Sequence, residues 1–317
     1  MSATQTPLAA KAPVLLAGCG KLGSRVGLAL AGQHPVWALR RNAGKVPSPL
    51  HPIGGDLTRP QTYADDLPED LDLVIYCVTP SSYDDAGYEA AFVTALDGLL
   101  KQLEARAHPP KHVFFVSSTG VYHQDDDSWV DERSPTEPER FSGQRLLEAE
   151  MRLAASPIPS TVVRFSGIYG GDRTGFLDKV LSGGLGPEPA GGFTNRIHED
   201  DCVGVLTHLV DRRVHGHPLA DCYLASDSAP IRKGDLVGWI REQIECAPLE
   251  PTTAVARSRG AGSKRCNNTR LLESGYRFRF PTYREGYGLM LERLKRQRSG
   301  VGRRTPDKKL ADGDREP

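Results

Sequence analysis

Short apolar runs alternate with longer amphipathic stretches along the first half of the chain. The run from Asp72 to Val78 is apolar at almost every position, which is typical of a parallel strand buried on both faces. Runs of this kind predict strands over 13–17, 35–39, 51–54, 72–78, 111–117 and 160–165. Apolar residues at helical spacing predict helices over 21–33, 60–66, 84–106 and 139–155. Because strands and helices alternate, the sequence predicts an α/β fold with a Rossmann-type, doubly wound parallel sheet.

The pattern changes after residue 166, where glycine and proline become frequent and the apolar runs become shorter. The remaining predicted elements are a helix near 199–212, a strand near 221–225 and a helix near 232–245. We expect a main domain over 13–170 with 195–225 returning to it, a smaller C-terminal substrate lobe over 171–194 and 226–291, and flexible tails over 1–12 and 292–317. The lobe is expected to cover the carboxyl ends of the strands, where ligands bind in open α/β sheets.

The first predicted strand runs into a glycine-rich turn, Gly18-Cys-Gly-Lys-Leu-Gly23, that opens the first predicted helix. In a dinucleotide-binding unit with this G-x-G-x-x-G spacing, Gly18 makes the tight turn and Gly20 lets the backbone approach a pyrophosphate. Gly23 allows the helix to pack closely on the strand, and Lys21 and Leu22 lie inside the same turn. The helix N-terminus would then face the pyrophosphate with free N–H groups. A glycine turn without a ligand is the alternative.

Charge along the first 55 residues indicates which dinucleotide the turn would bind. The segment holds six bases, Lys11, Lys21, Arg25, Arg40, Arg41 and Lys45, and the first acidic residue is Asp56. A site for NAD has a carboxylate about 20 residues after the glycines, which binds the ribose 2′-hydroxyl. Here the second predicted strand ends on Arg40 and Arg41 instead, and guanidinium groups bind a 2′-phosphate with charge-assisted hydrogen bonds. The sequence therefore predicts that the main domain binds NADP(H).

Composition narrows the class of protein further. The chain has 317 residues, of which 38% are hydrophobic, and its formal net charge is zero, so nucleic acid is not an expected partner. The six cysteines are scattered without a C-x-x-C pair, which favours a reduced intracellular protein and no metal site. No signal sequence and no membrane-spanning apolar run is recognisable. We expect a cytoplasmic protein that acts on a small molecule and does not bind membranes.

Five motifs follow one another along the chain, at 18–23, 55–57, 115–122, 164–170 and 196–201. In their order and spacing they resemble the extended short-chain dehydrogenase/reductases, the NAD-dependent epimerase/dehydratase group. The G-x-G-x-x-G spacing and the later segments 267–270 and 275–286 are more similar to the atypical, YeeZ-like branch of that family than to classical epimerases. The resemblance covers about two-thirds of the chain, and five motifs in order are far more specific than the glycine turn alone.

The resemblance implies roles for individual residues. Asp56 would bind the adenine amino group, although an aspartate before Thr58 can equally cap a helix. The other residues that it implies along the cofactor are Leu57, Thr79, Pro80 and Ser117. Ser118, with Thr119 beside it, would hydrogen-bond a substrate oxygen, the alternative being a plain turn after a strand.

The family's catalytic pair, Tyr-x-x-x-Lys, is not present in the matching stretch. Counting back from the Leu-Leu-x-x-Glu that follows it places Phe141 at the tyrosine and Arg145 at the lysine. Phenylalanine has no proton to donate. Arg145 keeps its charge and can still hold ribose hydroxyls, but it is not equivalent to lysine.

Another residue would therefore have to move the proton. The first candidates are Tyr122, His123 and His198, and the second choices are Tyr169 and Tyr83. Histidine has the better ordinary pKa for the task, but a single histidine is more often structural. The basic stretch 257–270 is a candidate for binding an anionic or nucleotide-linked substrate, or else a solvated loop.

Two functions of different classes follow from these residues. The first is an NADP(H)-dependent oxidoreductase or epimerase that acts on a small or sugar-like carbonyl or carbinol. The second is a catalytically inactive protein that binds NADP(H) and regulates through its conformation, because one fold hosts both kinds of function. The predicted helices 84–106 and 139–155 are further expected to form a homodimer interface, as in members of the family.

Overall fold

The structure is a computed structural model that describes residue 8 and residues 11–188, 191–249 and 262–301. Its strands are β1 (Val14–Ala17), β2 (Val36–Arg40), β3 (His51–Gly54), β4 (Leu73–Tyr76), β5 (His112–Ser118), β6 (Ser128–Val130), β7 (Ser160–Phe165), β8 (Gly167–Tyr169), β9 (Phe193–Thr194), β10 (Arg196–His198), β11 (Cys222–Ala225), β12 (Ile231–Arg232) and β13 (Lys264–Cys266). Its α-helices are α1 (Lys21–Leu30), α2 (Asp85–Tyr88), α3 (Ala95–Glu104), α4 (Phe141–Ala154), α5 (Gly175–Leu181), α6 (Glu199–Val214), α7 (Lys233–Gln243), α8 (Thr269–Glu273) and α9 (Tyr283–Val301).

Seven of the strands form one parallel sheet in the order β11-β7-β5-β4-β1-β2-β3. The chain builds outward from β1 to β3 on one side and then returns to β4, so the strand order reverses between β1 and β4. Ligands of such sheets bind outside the carboxyl ends of the strands at this reversal. The predicted doubly wound parallel sheet is confirmed.

The buried side chains of the sheet alternate between two apolar clusters, one on each face. Along β1, Val14 and Leu16 pack on the face that α1 and α6 cover, whereas Leu15 and Ala17 pack on the face that α3 and α4 cover. All four are fully buried. Because successive side chains of a strand point to opposite faces, a strand covered on both sides has to be apolar at every position. This requirement explains the continuous apolar runs of the sequence.

A third apolar cluster lies beyond the sheet, in the segments predicted to form the smaller lobe. Leu177 of α5, Val237 of α7 and Tyr287 of α9 are buried in it. Leu294 packs against the same cluster, and α9 continues to Val301, beyond the predicted start of a tail at 292. Within the described residues no helix is long and apolar enough to cross a membrane, and no three potential metal ligands cluster.

Candidate functional site

A groove of about 610 Å³ lies at the carboxyl ends of β1, β2, β3 and β4, where the strand order reverses. We call it the first groove. It is lined by Gly18, Cys19, Gly20, Leu39, Arg40, Arg41, Asn42, Lys45, Gly55, Asp56, Leu57, Thr58, Cys77, Val78, Thr79, Ser81, Gly87, Ala90, Ala91 and Ala95. Most of the predicted cofactor residues are therefore brought together, although they come from four separate strand ends.

The three glycines of the turn have different physical reasons to be glycine. Gly18 has a φ of +101°, and a Cβ there would lie 2.4 Å from the carbonyl oxygen of Cys77. A Cβ on Gly23 would lie 2.2 Å from the carbonyl oxygen of Gly18. These two positions exclude any other residue because of the protein's own packing. A Cβ on Gly20, by contrast, would meet no protein atom within 4 Å and would stand in the open groove.

Helix α1 presents an uncapped N-terminus to this groove. Gly20 is its N-cap and no side chain accepts from the first turn, which also contains no acidic residue. The free N–H groups and the helix dipole make this end attractive to an anion. Leu22 is buried in the core beneath it. Lys21 is exposed and lies outside the groove lining, with its Nζ 3.3 Å from Asp172.

Basic side chains line the first groove beside the carboxyl end of β2. Arg40, Arg41 and Lys45 all line it, and the Nη1 of Arg40 donates to the carbonyl oxygen of Lys45 at 3.1 Å. This contact holds Arg40 beside the groove. Asp56, just beyond the end of the neighbouring strand β3, also lines the groove, and its Oδ1 accepts from the backbone N–H of Thr58 at 3.0 Å and from its hydroxyl at 2.8 Å. These two bonds hold the pKa of Asp56 below its ordinary value, so the carboxylate is ionised.

A second groove, of about 690 Å³, lies beyond the carboxyl end of β5. Its lining comes from the β5–β6 connection, the N-terminus of α4 and two segments of the lobe, namely Gly192–Asn195 and Gly262–Lys264. The chain between Thr79 and Tyr88 separates it from the first groove: Thr79 and Gly87 line the first groove, and Tyr83 and Tyr88 line the second. Ligands bound in the two grooves would therefore both contact this segment of the chain.

The neighbouring serines of β5 have different surroundings. Ser118 lines the second groove, and its Oγ accepts from the N–H of Gly120 at 3.1 Å. Ser117 is 4% exposed, and its hydroxyl donates to Oε1 of Glu150 at 2.6 Å. Adjacent strand residues point to opposite faces. Ser117 is thus directed into the protein interior against α4, away from the cofactor contact that the resemblance implies, and Pro80 is likewise outside the first groove's lining.

The face of α4 that meets the second groove carries Ser142 and Leu146, which lie one helical turn apart. Phe141 packs instead on the rings of Tyr83 and Tyr88, at centroid distances of 5.5 and 5.4 Å. Successive residues of an α-helix point about 100° apart, so positions 141 and 142 lie on different faces of α4. Neither Phe141 nor Arg145 is among the residues that line the two grooves.

Arg145 is engaged by three carboxylates, two at the ends of α2 and one on α4 itself. Its Nε lies 2.8 Å from Asp85, its Nη2 3.3 Å from Glu89 and its Nη1 2.9 Å from Glu148. The hydrogen bonds to Asp85 and Glu148 raise the pKa of the guanidinium further. Contact with a ribose would require this cluster to open, so the predicted ribose contact has no support from the present geometry.

The predicted proton donors are mostly turned away from the second groove or held in other contacts. The buried hydroxyl of Tyr122 accepts from Nη1 of Arg164 at 2.9 Å, and burial raises its pKa well above its ordinary value. His198 is 4% exposed and caps α6, with its Nδ1 accepting from the N–H of Asp200 at 3.2 Å. Tyr169 is buried against Tyr287.

The two remaining candidates line the second groove at its surface. His123 is one-third exposed beside Glu137, and Tyr83 is 71% exposed. The side chains of both residues are therefore accessible to solvent in the groove.

Sequence reasoning missed Lys264 as an individual residue of the second groove. It belongs to the basic stretch 257–270, of which 257–261 lie outside the described residues. The neighbouring arginines have structural contacts: Arg265 lies 5.0 Å from the ring centroid of Trp129, and the Nη1 of Arg270 donates to the carbonyl oxygen of Cys222 at 2.9 Å. No sequence pattern distinguishes Lys264 from these arginines, because the groove that it lines is formed by distant segments.

The lobe also buries a carboxyl group, Asp227, in incomplete hydrogen bonding. Its Oδ1 accepts from the N–H of Ala229 at 3.1 Å, but its Oδ2 has no partner among the described residues, and the same is true of the hydroxyls of Tyr169 and Tyr287. Burial raises the pKa of Asp227 to about 8. The folded protein therefore holds a proton between about pH 4 and pH 8 that the unfolded chain releases, so this group's contribution to stability falls as the pH rises through that window.

We expect Asp227→Asn to raise the melting temperature at pH 9 and to change it less at pH 5, since the amide never ionises. Thermal unfolding of both proteins at pH 5, 7 and 9 measures the difference. Other titrating groups cancel in this comparison because both proteins contain them. Melting temperatures that differ by the same amount at every pH would contradict the account.

Three solved structures show what the chain is similar to. A protein of Methylobacillus flagellatus, described as an NAD-dependent epimerase/dehydratase, is 37% identical over 90% of this chain and 99% of its own, with a TM-score of 0.74. A conserved protein of Silicibacter pomeroyi DSS, described as functionally unknown, is 26% identical over 91% of this chain and 99% of its own, with a TM-score of 0.69. The Bordetella bronchiseptica enzyme WbmG, solved with NAD and UDP, is 15% identical over 91% of this chain and 96% of its own, with a TM-score of 0.70, and shares the fold.

Comparison with protein-family models and with curated proteins finds no match. The identity to the Methylobacillus protein nevertheless extends over nearly the whole of both chains, far beyond the five motifs. It agrees with the seven-stranded parallel sheet and with the glycine turn at its reversal point. The chain belongs to the NAD-dependent epimerase/dehydratase family.

Proposed function

We propose that the first groove binds NADP(H) and that the protein is an oxidoreductase or epimerase of a small or sugar-like carbonyl or carbinol. The observation that carries the proposal is the lining of the groove at the end of β2, where Arg40, Arg41 and Lys45 stand in the place of an acidic residue. A 2′-phosphate would find charge-assisted hydrogen bonds there, whereas a 2′-hydroxyl would find no carboxylate at that strand end.

The rest of the groove fits the dinucleotide. The open space above Gly20 leaves room for a pyrophosphate against the backbone, and the uncapped N-terminus of α1 supplies N–H groups for it. The ionised carboxylate of Asp56 lines the same groove and would accept a hydrogen bond from an adenine amino group. WbmG binds NAD with the same fold, which supports a nicotinamide dinucleotide here.

Bound NADP(H) would supply or accept a hydride, and the protein would position the carbonyl or carbinol carbon beside it. The second groove offers polar groups for such a substrate, including Ser118, Ser142, Thr194 and Asn195. The rings of Tyr83 and Tyr88 line it on the side of the first groove. Hydroxyl, amide and aromatic groups together are suited to a sugar-like or polyol substrate. WbmG also binds UDP, so a nucleotide-linked substrate is included in the proposal.

The second candidate function is an NADP(H)-responsive protein without turnover. The observation in its favour is the face of α4 at the second groove, which carries Ser142 and Leu146 and no Tyr-x-x-x-Lys pair. Binding of NADP(H) alone does not separate the two functions, because both need the first groove.

Turnover separates them. We expect the protein to oxidise NADPH in the presence of at least one of three carbonyl compounds: glyceraldehyde, a 4-keto nucleotide sugar or 9,10-phenanthrenequinone. NADPH absorbance at 340 nm follows the reaction, and protein denatured by heat is the control. Saturating binding of NADPH without oxidation by any of the three would favour the regulatory protein.

We also propose a homodimer through α3 and α4, where Met151 of α4 is 66% exposed. Light scattering at working concentration would measure twice the chain mass of 34.5 kDa. A mass of one chain would contradict it.

A further inference from the structure

Lys264 is the most deeply buried charged side chain in the lining of the second groove. It lies on β13, is 8% exposed, and its Nζ donates to the carbonyl oxygen of Tyr122 at 3.2 Å. Among the described residues no carboxylate forms an ion pair with it. A buried ammonium group is costly when its partner is a neutral carbonyl oxygen, because desolvation is not repaid by an opposite charge.

The surroundings of Lys264 favour loss of its proton. Burial lowers the pKa of the amine, and the nearby Arg140 guanidinium lowers it further, whereas the Cys266 thiol on the same strand opposes this. The other charged or titratable groups of the groove lining are His123, two exposed carboxylates (Asp125 and Glu139) and the hydroxyls of Tyr83, Tyr88 and Tyr122. Desolvation therefore favours the neutral form of this amine more than it does for a lysine on the surface.

The other groups of the groove are poorly suited to that task. Tyr122 has its hydroxyl held by Arg164, and the hydroxyls of Ser118 and Ser142 release a proton only with a stronger base beside them. Arg140 keeps its proton at any physiological pH. The groove therefore contains one buried side chain, Lys264, that can give and recover a proton where a substrate would bind.

Resting on the function proposed above, we propose that the amine of Lys264 is the proton-transfer group for the substrate in the second groove, in place of the tyrosine that α4 lacks. In the reducing direction, NADPH bound in the first groove would supply a hydride to the carbonyl carbon. The carbonyl oxygen takes a proton from the Lys264 ammonium group, and the product is an alcohol. The neutral amine then regains a proton from water. In the oxidising direction the same amine accepts the hydroxyl proton.

Two variants separate proton transfer from structural support. Lys264→Arg keeps the positive charge and a donor for the Tyr122 carbonyl, but it cannot release a proton at neutral pH. Lys264→Met keeps the length of the side chain without charge or donor. With NADPH and 9,10-phenanthrenequinone, we expect both to lower kcat by about 10²- to 10⁴-fold. NADPH affinity, measured by calorimetry, should stay within about threefold, because Lys264 does not line the first groove. Lys179→Met, on the exposed side of α5 and outside the linings of both grooves, is the control and should match the wild type.

The state of the amine is measured without turnover. Each lysine is labelled with trinitrobenzenesulfonate between pH 6 and pH 10, and the labelled peptides are quantified by mass spectrometry. We expect Lys264 to reach half-maximal labelling at a lower pH than the exposed Lys179, and 9,10-phenanthrenequinone to slow the labelling of Lys264 but not of Lys179.

Three results would overturn parts of this assignment. Labelling of Lys264 at the same pH as Lys179, or no labelling of Lys264 at all, would contradict a groove amine that exchanges protons. Normal turnover by Lys264→Arg would show that the residue only supports the Tyr122 backbone. A wild type that binds NADPH but reduces no carbonyl compound would overturn the proposed oxidoreductase and, with it, this role, even if the labelling of Lys264 occurs at low pH.

Discussion

Replacing Arg40 and Arg41 together with alanine is expected to weaken NADPH binding strongly while leaving NADH binding nearly unchanged. Both side chains line the first groove at the end of β2, where a 2′-phosphate would lie. A hydrogen bond between charged groups contributes about 1.5–3 kcal/mol, so each bond lost corresponds to roughly a 10- to 150-fold weaker affinity. NADH has no 2′-phosphate and loses none of these bonds.

Calorimetry with both cofactors measures this difference. Arg59→Ala is the matched control, because Arg59 is exposed, lies next to Thr58 of the groove and is not part of the lining. It reports the effect of removing one positive charge nearby, which salt screens. Equal losses of NADPH and NADH affinity in the double variant would show that the arginines support the structure of the groove and do not bind the 2′-phosphate.

The second large effect is expected on stability, from Glu150→Ala. Glu150 on α4 and Arg164 on β7 form a buried ion pair, with side chains 7% and 9% exposed and Nη2 2.5 Å from Oε2. Ser117 of β5 and Tyr122 complete the network through hydrogen bonds of 2.6 and 2.9 Å. The substitution leaves the Arg164 guanidinium buried without its carboxylate, which costs about 3–5 kcal/mol in the free energy of unfolding.

Urea unfolding measures the loss, and Glu148→Ala is the control on the same helix. Glu148 forms an exposed pair with Arg145, a kind of contact that contributes about 1 kcal/mol or less. The double variant Glu150→Ala with Arg164→Met should recover much of the loss, because it removes the unpaired charge as well. A Glu150→Ala variant as stable as Glu148→Ala would mean that water reaches Arg164 and replaces the carboxylate.

The sheet could be predicted from the sequence because its determinants are local. A strand buried on both faces has to be apolar at consecutive positions, and β1, β4 and β5 show this directly. The glycine turn was also predictable, because the spacing of its glycines is itself a sequence pattern. Gly23, for example, is required by its contact with the carbonyl oxygen of Gly18 in the same turn. Arg40 and Arg41 follow from the position at which β2 ends.

The second groove could not be predicted in the same way, because it depends on which face of an element is turned inward. The motif count selected Phe141 and Arg145, whereas Ser142 and Leu146 line the groove. Lys264 contacts Tyr122, which lies 142 positions earlier in the chain, and no local sequence pattern predicts that contact. The opposite directions of Ser117 and Ser118 do follow from strand alternation. The family resemblance alone does not indicate them, because it assigns both serines to the site.

The central claim is that the first groove binds NADP(H) in preference to NAD(H), and calorimetry on the wild-type protein tests it most directly. The protein is first freed of carried-over nucleotide and then titrated with NADPH and, separately, with NADH. We expect NADPH to bind with one site per chain and at least about tenfold more tightly than NADH, the equivalent of one charge-assisted hydrogen bond to the 2′-phosphate. NADH binding as tightly as NADPH, or no binding of either, would contradict the account.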